Sequence, residues 1–337
     1  MPAKRATLAT IAAAAGVSVA TVSKVLNGRS DVAPATRSLV LSALRQHDYV
    51  APPPRRDETA GTVELQFDSD LNAYSNEIIQ GAVRAGGELG VSVVISIRKG
   101  SERTSRWARE LAATGRRALV AVTSELTAAQ LAALAEAGLP LVVIDPLNLP
   151  RTRVTSVGST NFAGGLAATQ HLLSLGHRRI AYLGGPATAA CNQARLHGYR
   201  AAMEAEGVAV RQEYIQHRRF RYGDGVEAGA CFLALPEPPT AIFAGCDETA
   251  FGVMEAARAR GLRVPDDLSV VGFDDTQIAR MASPPLTTVR QPLREMGGVA
   301  LRRALRLAAG ERIDSHHIEL ATELVVRGST APAAPRQ

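Results

Sequence analysis

The sequence predicts an α/β protein: an all-α helix-turn-helix head followed by a two-lobe body, each lobe a doubly wound parallel sheet. Three observations lead there. Between residues 7 and 28, apolar residues recur at helical spacing on both sides of a glycine. From residue 62 onward, short β-rich apolar runs alternate with helical segments, the pattern of parallel strands wound with helices. Between the two, residues 51–61 carry Pro52, Pro53 and Pro54, through which no helix can run.

In the head, Leu8, Ile11, Ala12 and Ala15 form one apolar helical face. Gly16 follows at once, where a helix end favours a residue that tolerates positive φ. Ser18 is placed to cap a second helix, because its hydroxyl can accept from the orphan amides of the first turn. Val22, Val25 and Leu26 face inward there, while Val19, Ala20, Thr21, Ser23 and Lys24 face outward, and Asn27 and Gly28 end the helix. Small polar and cationic groups at such a helix suit a DNA major groove. Lys24, Val19 and Ala20 are the candidates for base edges. Ser18, Thr21 and Ser23 are candidates for phosphates, which position without specifying. Thr7 and Asn27, at the two ends of the stretch, complete the expected DNA-contact set with Arg55 and Arg56 of the linker, which reach phosphates or a minor groove or else are simply a solvated charged stretch. A third helix starts at Pro34, with Leu39, Val40, Ala43 and Leu44 inward and Tyr49 closing the small core. The head spans 1–50 and the linker, stiffened by its prolines, 51–61.

In the body, strands are expected at 63–67, 91–97, 118–123 and 141–144, with helices at 75–89, 102–113 and 127–137. A second set begins near residue 155. It has helices at 161–175, 191–206, 224–235, 247–260 and 294–308, and strands at 180–183, 241–244, 268–273, 287–290 and 319–326. Two sets of this size make two lobes. The Ala/Pro-rich tail, 331–337, is expected to be disordered.

The chain has 337 residues and net charge +6, unevenly spread. Residues 1–60 hold eight Lys/Arg against four acids, a basic unit on a nearly neutral body, which suggests a nucleic-acid-binding head. Cys191, Cys231 and Cys246 are odd in number and lack metal-ligand spacing, which fits a reduced, cytoplasmic setting. No apolar run approaches the ~20 residues that span a membrane, and no export signal precedes the first helix. Gly184-Gly185 is not a GxGxxG motif, and no P-loop or Gly-x-Ser-x-Gly occurs, so no enzyme signature is present. His316 and His317 fall on an expected strand, where neighbours point to opposite faces, so they make no metal pair. No cofactor and no metal are expected.

Ala15-Gly16-Val17-Ser18-Val19-Ala20-Thr21-Val22-Ser23-Lys24-Val25-Leu26-Asn27 closely resembles the helix-turn-helix signature of the lactose-repressor (LacI) family. Gly176-His177-Arg178-Arg179-Ile180-Ala181, Val270-Val271-Gly272-Phe273-Asp274-Asp275, Pro285-Leu286-Thr287-Thr288-Val289 and Glu323-Leu324-Val325-Val326-Arg327 also look like landmarks of that family. Together they cover residues 7–330. The resemblance implies a body like a periplasmic sugar-binding protein, its two lobes joined by three crossovers and the ligand between them. Lobe 1 would take about 62–157 and 288–313, and lobe 2 about 158–287 and 314–330. The linker departs from the family pattern: the leucine that wedges into the minor groove is missing. Ala33 stands where the family places a Ser cap, a loss of roughly 1 kcal/mol at that helix start.

The candidate ligand residues follow from strand ends and from the resemblance. Asp145 and Asp274 each end an expected strand, Asp247 opens a helix after a strand, and Arg195 lies in the first turns of another helix. Open α/β sheets bind ligands at that edge. Carboxylates accept hydroxyl protons, a guanidinium donates to hydroxyl oxygens, and an aromatic face such as Tyr74 or Phe220 covers a sugar ring. The same residues have plain structural readings: Asp145 and Asp247 as helix-end stabilisers, Asp274 and Asp275 as a turn, Arg195 as an ion-pair partner. The resemblance implies an effector site at Asp145, Arg195, Phe220 and Asp274, with an aromatic at Tyr74. Cys246 stands where some members carry an amide, and Cys191 is a further candidate for the pocket. The expected protein is a repressor. It would bind pseudo-palindromic operator DNA as a homodimer and answer to a small molecule, a mono- or oligosaccharide. A sugar-transport protein and an α/β enzyme with a regulatory head are the alternatives.

Overall fold

The computed structural model describes residues 7–26, 32–47, 49, 61–98, 105–147 and 154–334. The expected DNA contacts at Asn27, Arg55 and Arg56 lie outside the described residues, as does the linker up to residue 60. The chain divides into two compact units, Met1–Ala60 and Gly61–Gln337.

In the first unit, α1 (Leu8–Ala15), α2 (Val19–Leu26) and α3 (Pro34–Gln46) enclose Ile11, Ala12, Val22, Val25, Val32, Val40 and Ala43. Thr7 caps α1, its Oγ1 accepting from the Thr10 amide at 3.3 Å. Gly16 ends α1 at φ +63°, a left-handed turn that a Cβ would strain. Ser18 caps α2 as expected, its Oγ accepting from the Thr21 amide at 3.2 Å. The two helices bend by 97°, within the range of helix-turn-helix pairs. Leu39, expected inside, is 59% exposed, because the inward stripe of α3 runs through Val40, Ala43 and Leu44. Among the described residues no single helix is long and apolar enough to cross a membrane.

The second unit carries β1 (Thr62–Phe67), α4 (Ala73–Glu88), β2 (Ser92–Ile97), α5 (Ser105–Ala113), β3 (Arg116–Val122), α6 (Ala128–Glu136), β4 (Leu141–Ile144) and β5 (Thr155–Ser159). There follow α7 (Asn161–Ser174), β6 (Ile180–Gly184), α8 (Ala190–Ala205), β7 (Ile215–His217), α9 (Tyr222–Leu233), β8 (Ala241–Ala244) and α10 (Asp247–Ala259). The chain closes with β9 (Ser269–Asp274), α11 (Gln277–Met281), β10 (Thr287–Arg290), α12 (Leu293–Ala308), β11 (His317–Leu320) and β12 (Glu323–Val325).

Two six-stranded sheets result, in the orders β11-β5-β4-β3-β1-β2 and β12-β10-β9-β8-β6-β7. Among the described residues all pairings are parallel except β10 with β12, which is antiparallel. β6 and β8 are buried along their whole length, hence their continuous apolar runs. The chain crosses between lobes three times: after β5, after β10 and after β11.

The crossovers correct two expected lobe boundaries. β10 pairs with β9 from Thr287↔Val271 to Arg290↔Asp274, so lobe 2 keeps the chain through Arg290 rather than releasing it at 287. The expected strand 319–326 is two strands in different sheets. β11 pairs with β5 from His317↔Ser156, so lobe 1 extends through Leu320, and lobe 2 resumes only at β12. The tail expected to be disordered from 331 is bound as far as it is described: Ala331 O accepts from His177 Nε2 at 3.0 Å, and the Ala333 amide donates to Leu175 O at 2.8 Å.

Glycine lets α7 and α8 touch backbone to backbone. A Cβ at Gly198 would lie 2.3 Å from Phe162 O, and one at Gly165 would lie 2.3 Å from Arg195 O. Gly198→Ala is expected to push the helices apart at a cost of about 1–3 kcal/mol. The melting temperature of the body should fall by several degrees. An unchanged melt would show that the helices can slide.

Candidate functional site

Two features carry chemistry. In the head, α2 presents Val19, Ala20 and Lys24 to solvent, with Val19 45% exposed. Thr21 and Ser23 are half-buried, and the Thr21 hydroxyl lies 2.9 Å from that of Ser18. Ser18 and Thr7 are thus helix caps in the free protein.

In the body, a cleft of about 430 Å³ lies between the lobes, at the carboxyl ends of both sheets. All eight residues expected at the ligand site, Tyr74, Asp145, Cys191, Arg195, Phe220, Cys246, Asp247 and Asp274, line it. Lobe 1 supplies Tyr74 from α4 and Asp145 from the end of β4. Lobe 2 supplies Cys191 and Arg195 from α8, Phe220 from the loop before α9, Cys246 and Asp247 at the start of α10, and Asp274 at the end of β9.

Arg195 is no surface ion-pair partner. It is 4% exposed. Its Nε donates to Asn161 Oδ1 at 2.8 Å and its Nη1 to Gly245 O at 2.5 Å. The guanidinium carbon sits 3.7 Å from the Phe273 ring centroid and 5.8 Å from that of Phe220. Two nitrogens are engaged by protein acceptors, and Nη2 has none among the described residues.

The acids differ in how far they are already satisfied. Asp145 Oδ2 accepts from the Tyr74 hydroxyl at 2.6 Å. Burial pushes its carboxyl up, and the Tyr74 bond only partly offsets this. Burial also raises the Tyr74 phenol well above its ordinary value, so it stays a donor. Asp274 Oδ1 accepts from Gln291 Nε2 at 2.6 Å. Burial raises its carboxyl well above the usual range although Arg195 opposes the shift. Both aspartates have left-handed backbones, φ +44° for Asp145 and +114° for Asp274, strain of the kind that collects at functional sites.

Asp247 and Cys246 serve the fold first. Asp247 Oδ2 accepts from the Thr276 amide at 2.7 Å and its hydroxyl at 2.9 Å, while Oδ1 accepts from the Thr288 hydroxyl at 2.6 Å. These bonds brace α10 against the loop after β9 and against β10. Cys246 Sγ caps α10, accepting from the Thr249 amide at 3.4 Å.

Burial lifts the Asp247 carboxyl to about 7, outweighing its three donors. The folded protein therefore keeps a proton there that the unfolded chain loses near pH 4, and stability falls as pH rises from about 4 toward 7. Asp247→Asn, which cannot ionise, should flatten this limb. Its melting temperature should change less between pH 5 and 7.5 than that of the wild type. An identical pH profile would assign the limb to other groups.

The structure adds residues that sequence reasoning missed. Glu248 Oε1 accepts from the Ala73 amide at 3.3 Å, a bond from lobe 2 to the first turn of α4 in lobe 1. The Ala190 amide donates to Leu147 O at 3.1 Å, again between lobes. Arg219 and Arg221 stand exposed at the rim of the cleft. An acid beside Asp247 at a helix start was a visible signal for Glu248, but its partner lies 175 residues away. Among the described residues, no group of three His, Cys, Asp or Glu could hold a metal.

Comparison with known proteins agrees with this architecture. Residues 7–51 match the family model for bacterial regulatory proteins of the lacI family, and residues 169–330 match the periplasmic binding protein-like domain. The chain is 33% identical to the HTH-type transcriptional regulator DegA of Bacillus subtilis, over 97% of this chain and 99% of that one. It is 34% identical to the regulator CelR of Thermobifida fusca, over 97% and 98%. A solved CelR–cellobiose complex superposes with a TM-score of 0.73, covering 96% of this chain and 100% of that one at 34% identity. A lac repressor dimer bound to operator and the anti-inducer ONPF superposes with a TM-score of 0.73, covering 97% and 100% at 28% identity. Head, two-lobe body and full-length similarity together place this chain in the lacI family of bacterial regulatory proteins, as a helix-turn-helix transcriptional regulator.

Proposed function

We propose that this regulator is a repressor that holds a pseudo-palindromic operator as a homodimer, and that a sugar in the interlobe cleft controls its grip. One observation carries the effector half. Acceptors (Asp145, Asp274), a buried donor (Arg195) and two aromatic side chains (Tyr74, Phe220) converge from both lobes on one cleft. That set matches a polyol: hydroxyls satisfy carboxylates and guanidinium, and a ring face covers the apolar side of the sugar. Cys246 and Asp247 support the wall. A ligand held by both lobes favours one lobe angle over another. A differential affinity of about 1–3 kcal/mol is enough to change operator affinity through the spacing of the paired heads. The relative CelR was solved with cellobiose. A neutral disaccharide is therefore the first effector to try.

The test is operator binding by fluorescence anisotropy, with cellobiose and a panel of mono- and disaccharides titrated in, alongside the thermal shift of the full chain. A sugar that both raises the melting temperature and shifts operator affinity supports the reading. If no sugar does either, the effector belongs to another chemical class.

A further inference from the structure

We propose that Gln291 couples the cleft to the hinge, by joining Asp274 to the crossover segments through its two buried hydrogen bonds. The proposal rests on reading the cleft as the effector site.

Gln291 lies in the second crossover, between β10 and α12, and is 3% exposed. Its Nε2 donates to Asp274 Oδ1 at 2.6 Å. Its Oε1 accepts from the Ser159 hydroxyl at 2.5 Å. Ser159 is fully buried and ends β5, at the first crossover. The next residue, Thr160, is tied to the third: the Thr322 amide donates to Thr160 Oγ1 at 3.0 Å, and the Thr322 hydroxyl to Thr160 O at 3.3 Å. The three hinge strands are thus linked to one another through side chains, and Gln291 connects them to an acid of the cleft.

The chemistry makes the link directional. An amide NH₂ only donates, and it donates to Asp274 Oδ1, so the amide oxygen is left for the Ser159 proton. Turning either group leaves a buried polar atom unpaired, at a cost that favours moving the chain as a unit. The neighbouring residue reinforces it. Asp275 Oδ2 accepts from Arg290 Nε at 2.7 Å, and its Oδ1 from Arg327 Nη2 at 2.5 Å. Arg290 is the last residue of β10 and Arg327 lies just after β12, so a shift of the 274–275 turn pulls on the crossover next to Gln291 as well. A ligand that draws Asp274 toward itself therefore acts on the lobe angle without touching the hinge. Gln291 is a positioning residue, not a ligand contact.

The experiment uses the full chain and two variants, Gln291→Leu and Ser159→Ala, the second in case the first does not fold. Without any sugar, hydrogen exchange in peptides covering 158–161 and 320–323 should speed up at least tenfold in either variant, while 118–122 in β3 stays unchanged. Equal exchange at the crossovers overturns the proposal. With cellobiose as probe, the variants should bind by calorimetry within about threefold of wild type yet release operator at least tenfold less well, inside the usual range of coupling. Wild-type release in the variants also overturns it. If wild type itself does not bind cellobiose, that sugar is wrong for the cleft, and the exchange measurement alone decides the relay.

Discussion

Arg195→Ala is expected to abolish the effector response and to lower the melting temperature of the body by on the order of 10 °C. The residue has three jobs. It donates to Asn161 Oδ1 and Gly245 O, it lies against Phe273, and it is the cation that faces the buried acids Asp274 and Asp145. Removing one partner of a buried charge cluster costs about 3–5 kcal/mol, because the remaining charges lose compensation in a medium that solvates them poorly. For a unit of this size each kcal/mol is worth roughly 2–4 °C. The two acids have an escape. Burial already raises both, and without the guanidinium they rise further and take up protons. The deficit should therefore be smaller at pH 5.5 than at pH 8, since protonation removes the uncompensated charge. A deficit equal at both pH values would mean that the stacking and the lost bonds dominate. Arg195→Lys should not rescue, because an ammonium lacks the planar fork that stacks on Phe273 and donates in two directions. Operator binding should survive in both variants, since the head has its own core. An effector response that survives Arg195→Ala would remove this residue from the ligand site.

Lys24→Ala is expected to weaken operator binding by about one to two orders of magnitude and leave sugar affinity unchanged. Lys24 is exposed in the last turn of α2, whose core-facing residues are Val22 and Val25. Replacing it exposes no core and leaves the Ser18 cap in place. A base-edge contact is worth about 1–3 kcal/mol, and its loss shows as relaxed preference at one operator position. A phosphate contact instead weakens all sequences alike and lowers the slope of log K against log salt by about one. Measuring affinity on several operator variants at two salt concentrations separates the two roles. Unchanged affinity throughout would take Lys24 out of the interface.

The head was readable because its signals are local. The 8–11–12–15 stripe, Gly16 and the Ser18 cap each act within one helical turn, and each has the structural role that its chemistry implied. Strands such as β6 and β8 were readable for a related reason, since both faces are covered and their runs are apolar, whereas β5, equally buried but reading Thr-Ser-Val-Gly-Ser, and the three-residue β7 carry no such run and were not expected. The lobe boundaries were not. Residues 317–320 and 323–325 look alike as sequence, and only their partners, β5 and β10, assign them to different sheets. The bound tail was missed for the same reason, since Ala331 and Ala333 are held by His177 and Leu175, more than 150 residues earlier.

The interlobe cleft divides in the same way. Residue type and position at strand ends pointed to Asp145 and Asp274, because the carboxyl edge of a parallel sheet is where side chains meet a ligand, while Arg195, within α8, was singled out by the family resemblance. Whether each side chain is free to meet one depends on its neighbours. Asp247 and Asp274 are the same residue type at the same edge, yet Thr276 and Thr288 occupy Asp247 while Asp274 leans on Gln291. Helix caps, turns and apolar runs are set by interactions within a few residues and can be read along the chain. Strand partners, hydrogen-bond saturation and the bonds between lobes join residues that are tens to hundreds of positions apart, and only the folded chain brings them within reach.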